Sequence, residues 1–210
     1  MATRRKKAEY HHGHLRQALI DATLALAREK GARAVTLSDA AKHAGVSVAA
    51  PYRHFADKDA LLAAAAEESF TIFTGRLADA NHTGKTAVTR LENHSLAYLR
   101  FFAEFPERIE LMFGIGLKIW EYPGLLQAAL AAFNELGNAV RGLADEGIIP
   151  ADTTERRTHL FWYLMHGTAT LGIARAGPPN APDPTVAMLE LIRAVIPGFE
   201  LASGKRKKLT

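Results

Sequence analysis

A chain of 210 residues with 48% hydrophobic content has enough apolar material for one large domain or a small domain joined to a larger one. With no cysteine it has no disulfide scaffold, thiolate metal site or cysteine nucleophile, which fits a reducing, cytoplasmic setting. No stretch approaches the roughly 20 continuous apolar residues of a membrane span, and the basic N-terminus leads into Glu9, Tyr10 and histidines rather than an apolar signal core, so no membrane partner is expected.

The net charge is +4, but its distribution says more. Residues 1–62 carry 11 Lys and Arg against 6 Asp and Glu, residues 63–204 carry 11 against 16, and the last six residues add four cations. A positive head on an acidic body suits a nucleic-acid binder with a separate sensor, because phosphate attraction is then confined to one end.

Residues 1–9 read as a flexible basic arm, with Arg4, Arg5, Lys6 and Lys7 either in a minor groove or solvated. His11, His12 and His14 do not share a helical face and have no carboxylate or cysteine nearby, so no metal or cofactor is expected there. Leu15, Ala18, Leu19, Ala22 and Leu26 form the apolar face of a helix that Gly31 stops near Lys30. Its role is to cover the next segment, whose apolar partners are Val35, Leu37, Val46, Tyr52, Phe55 and Leu61.

Residues Thr36 to Leu62 read as a helix-turn-helix followed by the start of another helix. Thr36 caps a short helix with Asp39 at its third position, a capping box with Asp in place of Glu. Gly45 supplies the left-handed residue of the turn. Ser47 is placed to cap a second helix through Val48, Ala49, Ala50, Pro51, Tyr52 and Arg53. In such a motif the second helix presents its N-terminal residues to base edges in the major groove. Val48, Ala49 and Ala50 offer a small apolar surface to thymine methyl groups, while Tyr52, Arg53, His54 and Lys58 offer phosphate donors. Arg53 has the reach for either guanine or phosphate. Thr36 and Ser38, at the start of the first helix, complete the candidate DNA contacts. The competing reading is a three-helix unit that packs on protein.

The run from Ala41 to Leu62 resembles the DNA-binding signature of TetR-type transcriptional regulators. Ala41, Ala44, Gly45, Val46 and Ser47 match Ala-x-x-Ala-Gly-Val-Ser, Tyr52 and Phe55 match Tyr-x-x-Phe, and Lys58, Leu61 and Leu62 match Lys-x-x-Leu-Leu. The resemblance covers about residues 10–65. Trp162, His166 and Gly167 are similar to the Trp-His-Gly signature of one C-terminal class in that family. The resemblance implies an all-helical homodimer whose N-terminal domains bind operator DNA and whose C-terminal domains bind a small-molecule inducer.

Asp57 can cap an alanine-rich helix over 58–80, with Leu61, Leu62, Phe70, Phe73 and Leu77 on one side, connecting reader to sensor. Lys58 and its free N–H groups would clamp a phosphate. Further helices are expected over about 85–105, 106–118, 124–146, 153–176 and 184–196. Pro123 opens the third of these, Gly147 and Pro150 end it, and Asp183 with Pro184 starts the last. The expectation is all-α with about nine helices: a basic arm (1–9), a DNA-binding domain (10–62), a larger ligand-binding and dimerisation domain (63–200) and a basic tail (201–210).

Aromatic and soft side chains gather in the middle helices. Phe101, Phe105, Met112, Phe113, Trp120 and Phe133 are either plain core or the walls of a pocket for an apolar or aromatic effector, with His94, Arg100 and Glu110 as polar anchors. Trp162 and His166, one turn apart, line that pocket or belong to the core. Gly167 and Gly172 permit close helix approach, and Val186, Leu189, Ile192 and Ile196 form a stripe suited to a four-helix dimer contact. The sequence contains no Gly-rich phosphate loop, no HExxH and no paired carboxylates with an obvious pocket. The reading is therefore a ligand-responsive regulator, most simply a repressor released from a palindromic operator by its effector. The alternative is a helical carrier or enzyme with a non-functional reader domain.

Overall fold

The computed structural model describes residues 2–173 and 180–204, with side chains over 14–172 and 180–196. Among the described residues there are eight α-helices joined by turns and no strand. They are α1 (Ala2–Lys30), α2 (Leu37–His43), α3 (Lys58–Asn81), α4 (Ala87–Glu104), α5 (Pro106–Ile109), α6 (Pro123–Asp145), α7 (Thr154–Ile173) and α8 (Pro184–Gly204). The difference from nine lies in Ser47–Arg53, which forms turns and one 3-10 turn (Pro51–Arg53) instead of an α-helix. Pro51 has no N–H, and the remaining donors bond three residues back: Ala50 N–H to the Ser47 carbonyl at 2.9 Å and Arg53 N–H to that of Ala50 at 3.2 Å. Ser47 thus holds this turn through its carbonyl rather than as a side-chain cap.

The helix boundaries otherwise follow from local chemistry. α2 begins as expected, with Thr36 Oγ1 accepting the Asp39 N–H at 3.1 Å. It ends in a Schellman motif: Val46 N–H reaches the Ala41 carbonyl at 2.9 Å, Gly45 N–H that of Lys42 at 3.1 Å, and Gly45 takes φ +69°. Asp57 Oδ1 caps α3 by accepting the Ala60 N–H at 2.8 Å. Asp183 Oδ1 does the same for α8 from Thr185 at 2.8 Å. α1 begins at Ala2, so the backbone of the expected arm is helical, and α8 continues to Gly204 through part of the expected tail. Lys205–Lys208, residues 174–176 at the end of the helix expected over 153–176, and residues 177–179 after it lie outside the described residues.

The chain divides into two compact units, one of residues 1–70 and 105–129, the other of 71–104 and 130–210. The inclusion of 105–129 in the first departs from a sensor domain starting at residue 63. In that unit Leu19, Ile20, Val35, Phe55, Leu61 and Leu111 share one buried cluster, so α5 and its continuation complete the core of the three-helix domain. This is how so small a motif obtains enough apolar burial. Tyr52, expected in that core, is 60% exposed, and Pro51 is buried beside it in sequence.

The expected helix over 106–118 is interrupted. Pro106 separates α4 from α5, and after Ile109 the chain makes a π-helical turn over Glu110–Gly114, with Ile115 N–H on the Glu110 carbonyl at 3.1 Å. Gly116 at φ +77° then ends helical structure until a 3-10 turn at Ile119–Glu121.

In the second unit, Phe73 of α3 sits among aromatic rings of α4, with centroids 5.1 Å from Tyr98, 4.8 Å from Phe101 and 5.1 Å from Phe102. Leu91, Leu143, Phe161, Met165, Met188 and Ile192 are fully buried around the packed helices. Glu146 caps α4 from the end of α6, its carboxylate accepting the Ala87 N–H at 2.8 Å and pairing with Arg90 at 2.8 Å. At Gly172 a side chain would meet Pro184 Cγ at 2.8 Å, so the bare backbone allows α8 to start against α7.

Candidate nucleic-acid interface and effector region

Most of the DNA-contact candidates, Ser47–Ala50 and Tyr52–His54, fall on the loop between α2 and α3, with Thr36 and Ser38 at the start of α2 and Lys58 at the start of α3. Thr36, Ser47, Val48, Ala49, Tyr52 and Arg53 are exposed, while Ser38, Ala50, His54 and Lys58 are half-buried. Val48, 47% exposed, presents a branched apolar side chain to solvent between Ser47 and Ala49. Beneath the loop, Pro51 and Phe55 are buried, Phe55 N–H reaches the Pro51 carbonyl at 2.9 Å, and the Arg16 guanidinium lies 5.5 Å from the Phe55 ring centre. The outward residues are thus borne on a fixed base.

Two expected phosphate donors are partly engaged. Lys58 Nζ donates to the Arg33 carbonyl at 2.5 Å, which leaves its other two N–H bonds for a phosphate. The Thr36 hydroxyl oxygen accepts the Asp39 N–H as the cap of α2, a bond that uses its lone pair and not its O–H. Lys30 pairs with Asp39 at 2.6 Å, and this contact, followed by the Thr36 bond, holds the Asp39 carboxyl below its usual pKa. Exposed Lys42 at the end of α2, together with Arg33, adds positive charge that the helix-turn-helix pattern alone did not single out. Arg33 also donates to the Gly114 carbonyl at 2.6 Å.

The eight effector candidates do not gather in one unit. Phe105, Met112, Phe113 and Trp120 belong to the first. Met112 is buried, Phe113 meets Phe70 edge-on with centroids 5.5 Å apart, and Trp120 is 68% exposed on a single 3-10 turn. Phe101, Phe133, Trp162 and His166 belong to the second. Phe101 is fully buried core. Trp162 stands edge-on to Phe133 with centroids 5.9 Å apart and lies 6.1 Å from His166, so Trp162 and His166 share a face as their spacing predicts.

Of the three polar anchors, Arg100 is exposed and Glu110 is committed to the Ala32 N–H at 2.8 Å in the first unit. His94 is completely buried, and desolvation lowers its pKa to about 4. Its Nδ1 lies 2.9 Å from Asn81 Oδ1. One turn along α4 is Tyr98, whose hydroxyl is 2.9 Å from His166 Nδ1; burial raises the Tyr98 pKa, and desolvation lowers that of His166. Tyr98, Asn81 and Glu135 were not singled out from sequence. The available signal was the four-residue spacing of His94 and Tyr98 on an otherwise apolar helix face.

The dimer candidates also separate. Ile192 is fully buried and Ile196 is 6% exposed, so both serve the protomer's own core, as does Gly172 through Pro184. Gly167 and Leu189 are half-buried and Val186 is exposed. Other exposed apolar side chains of α7 and α8 are Leu160, Tyr163, Leu171 and Leu191.

An all-helical chain carrying a helix-turn-helix with an outward apolar and cationic loop, joined to a larger helical unit, defines a DNA-binding transcriptional regulator. Residues 19–65 match the bacterial regulatory proteins of the tetR family, and residues 91–195 match the Tetracyclin repressor-like C-terminal domain. The chain belongs to the TetR family. A Rhodococcus sp. RHA1 protein of unknown function is 29% identical, with 92% of this chain and 97% of that one covered and a TM-score of 0.74. The fold is shared with the fatty acid degradation regulator FadR from Bacillus halodurans, at 15% identity, coverage of 86% and 93%, and TM-score 0.69. It is also shared with the TetR-family regulator PfmR from Thermus thermophilus, at 16% identity, coverage of 85% and 97%, and TM-score 0.64. No curated protein matches the chain. Among the described residues, no helix is long and apolar enough to cross a membrane.

Proposed function

We propose that this regulator is a homodimeric repressor of a palindromic operator, released when a small-molecule effector binds its second unit. The observation that carries the reading is the solvent-exposed run of Ser47, Val48 and Ala49 followed by Tyr52 and Arg53, on a loop fixed from beneath by Pro51 and Phe55. Small apolar side chains flanked by donors suit a major groove, where methyl groups and phosphates alternate within reach. In a homodimer two such loops about 34–36 Å apart meet successive major grooves.

An effector weakens operator binding if it favours a dimer state with a different loop spacing, and no chemistry is required. Exposed apolar side chains on α7 and α8, including Tyr163, Leu171 and Val186, support pairing through those helices. The test is selection of duplexes from a random pool by the purified protein, followed by a salt titration. Enrichment of an inverted repeat and an orders-of-magnitude loss of affinity between about 50 and 200 mM salt support the reading. Failure to enrich any duplex, by a protein shown to be folded, overturns it.

A further inference from the structure

Asn81, at the end of α3, has an amide orientation fixed by its surroundings. Its Nδ2 lies 2.9 Å from both the Glu135 carbonyl and Glu135 Oε2, and both of those atoms can only accept. The nitrogen therefore faces Glu135 and the oxygen faces His94, at 2.9 Å from Nδ1. An amide oxygen accepts only, so the His94 proton sits on Nδ1. Burial keeps the ring neutral, and Nε2 is left as a bare acceptor. That atom has no hydrogen-bond partner and is closed to solvent, in a side chain of zero exposure.

A core histidine fixed in one tautomer by a two-residue relay, with its remaining lone pair unused, is poorly explained by packing. Leucine would fill an apolar interior without leaving a buried acceptor unsatisfied. Tyr98 follows on the same face of α4, with its hydroxyl on His166 of α7, so polar groups line a stripe otherwise made of Leu91 and the rings around Phe73.

We propose that His94 Nε2 is the hydrogen-bond acceptor of the effector site, and that the effector is a neutral, largely apolar molecule bearing a hydroxyl donor, of the alkylphenol type. The inference rests on the effector-responsive reading above and names the ligand chemistry of that function. Tyr98, one turn further along α4, and the Phe73 ring packed on it at 5.1 Å make the adjoining stripe aromatic and favour a ring, and the bare lone pair selects a donor. The same lone pair disfavours a carboxylate, which would set acceptor against acceptor in a desolvated site. Glu135 and Asn81 act as positioning residues that hold the imidazole in the accepting tautomer.

The experiment uses the full chain and a series of para-alkylphenols, from methyl to octyl, each paired with its methyl ether, with octanoate as the anionic probe. Binding is followed by calorimetry and by the 15N resonances of the His94 ring. The expected result is that at least one phenol binds about tenfold or more tightly than its ether, the loss of one good hydrogen bond. Octanoate binds more weakly than that phenol, and the phenol shifts the His94 Nε2 resonance. His94→Phe abolishes the preference for phenol over ether, while Asn81→Leu weakens it by freeing the tautomer. No binding by any phenol up to its solubility limit, equal binding of phenol and ether, or an unmoved Nε2 resonance overturns the inference. The Nε2 readout on unsubstituted protein decides the matter if His94→Phe does not fold. Duplex selection on the same sample separates the two claims: enrichment of an operator with no phenol preference removes only the ligand assignment.

Discussion

The Glu110 carboxylate accepts the backbone N–H of Ala32 at 2.8 Å, tying the π-helical turn after α5 to the 3-10 turn that follows α1. Nearby, the Arg33 side chain reaches the Gly114 carbonyl and the Lys58 ammonium reaches the Arg33 carbonyl. The turn between α1 and α2 is thus held from a segment far away in sequence. Glu110→Ala removes a charge-assisted bond and leaves a partly buried N–H without its partner. The expected cost is about 1–3 kcal/mol, with faster hydrogen exchange at Ala32. Glu110→Gln, which retains a carbonyl acceptor, should recover part of the loss. Equal urea midpoints for wild type and Glu110→Ala would show that the contact contributes nothing.

Gly45 and Gly137 separate backbone strain from available space. Neither position has a neighbouring atom within 4 Å of an added Cβ, but only Gly45 has a positive φ, at +69°. Gly45→Ala should therefore destabilise by about 1 kcal/mol or more. Gly137→Ala, inside α6, should stabilise by up to about 1 kcal/mol. Thermal melts that shift in the same direction would contradict this division.

His94 sets a pH dependence of stability. Its ordinary pKa of 6.5 falls to about 4 in the folded chain through desolvation. Between those values the unfolded chain binds a proton that the folded chain does not, so stability falls as pH drops through the window. The effect is absent above about 6.5 and complete below about 4. The loss should reach about 3 kcal/mol in all. Urea unfolding at pH 7 and pH 5 should show much of it, and His94→Phe should flatten the difference.

Contacts with the DNA backbone and with bases should part company on mutation. Tyr52→Ala and Lys58→Ala should weaken binding to all duplexes alike, the lysine change also reducing the salt dependence, whereas Ala49→Ser and Arg53→Ala should alter the preferred sequence. Measuring each variant against the selected operator and scrambled duplexes checks this. Uniform effects from both sets would contradict this division between the two pairs of residues.

On α8, surface and core should also be distinguishable. Val186→Lys, at an exposed position, should shift sedimentation from dimer to monomer with little change in protomer folding. Ile192→Ala, at a fully buried one, should cost about 2–5 kcal/mol of stability. A monomeric wild type would exclude α8 pairing altogether.

The sequence by itself determined what local chemistry controls. The Thr36 cap, the Gly45 turn, the Asp57 and Asp183 caps and the buried face of α3 follow from side chains acting on backbone within a few residues, and each is present in the structure. The turn that carries the DNA-contact candidates was legible for the same reason, although its short α-helix became a 3-10 turn once Pro51 removed a donor. Only the tertiary structure decided which apolar stripe faces inward, because periodicity marks a face without saying what covers it. Ile192 and Ile196 therefore went to the protomer core, and the middle aromatics divided between two units. Tertiary structure alone also brought Asn81, Glu135 and His94 together, since hydrogen bonds between distant segments depend on which helices pack, a property that no local spacing encodes.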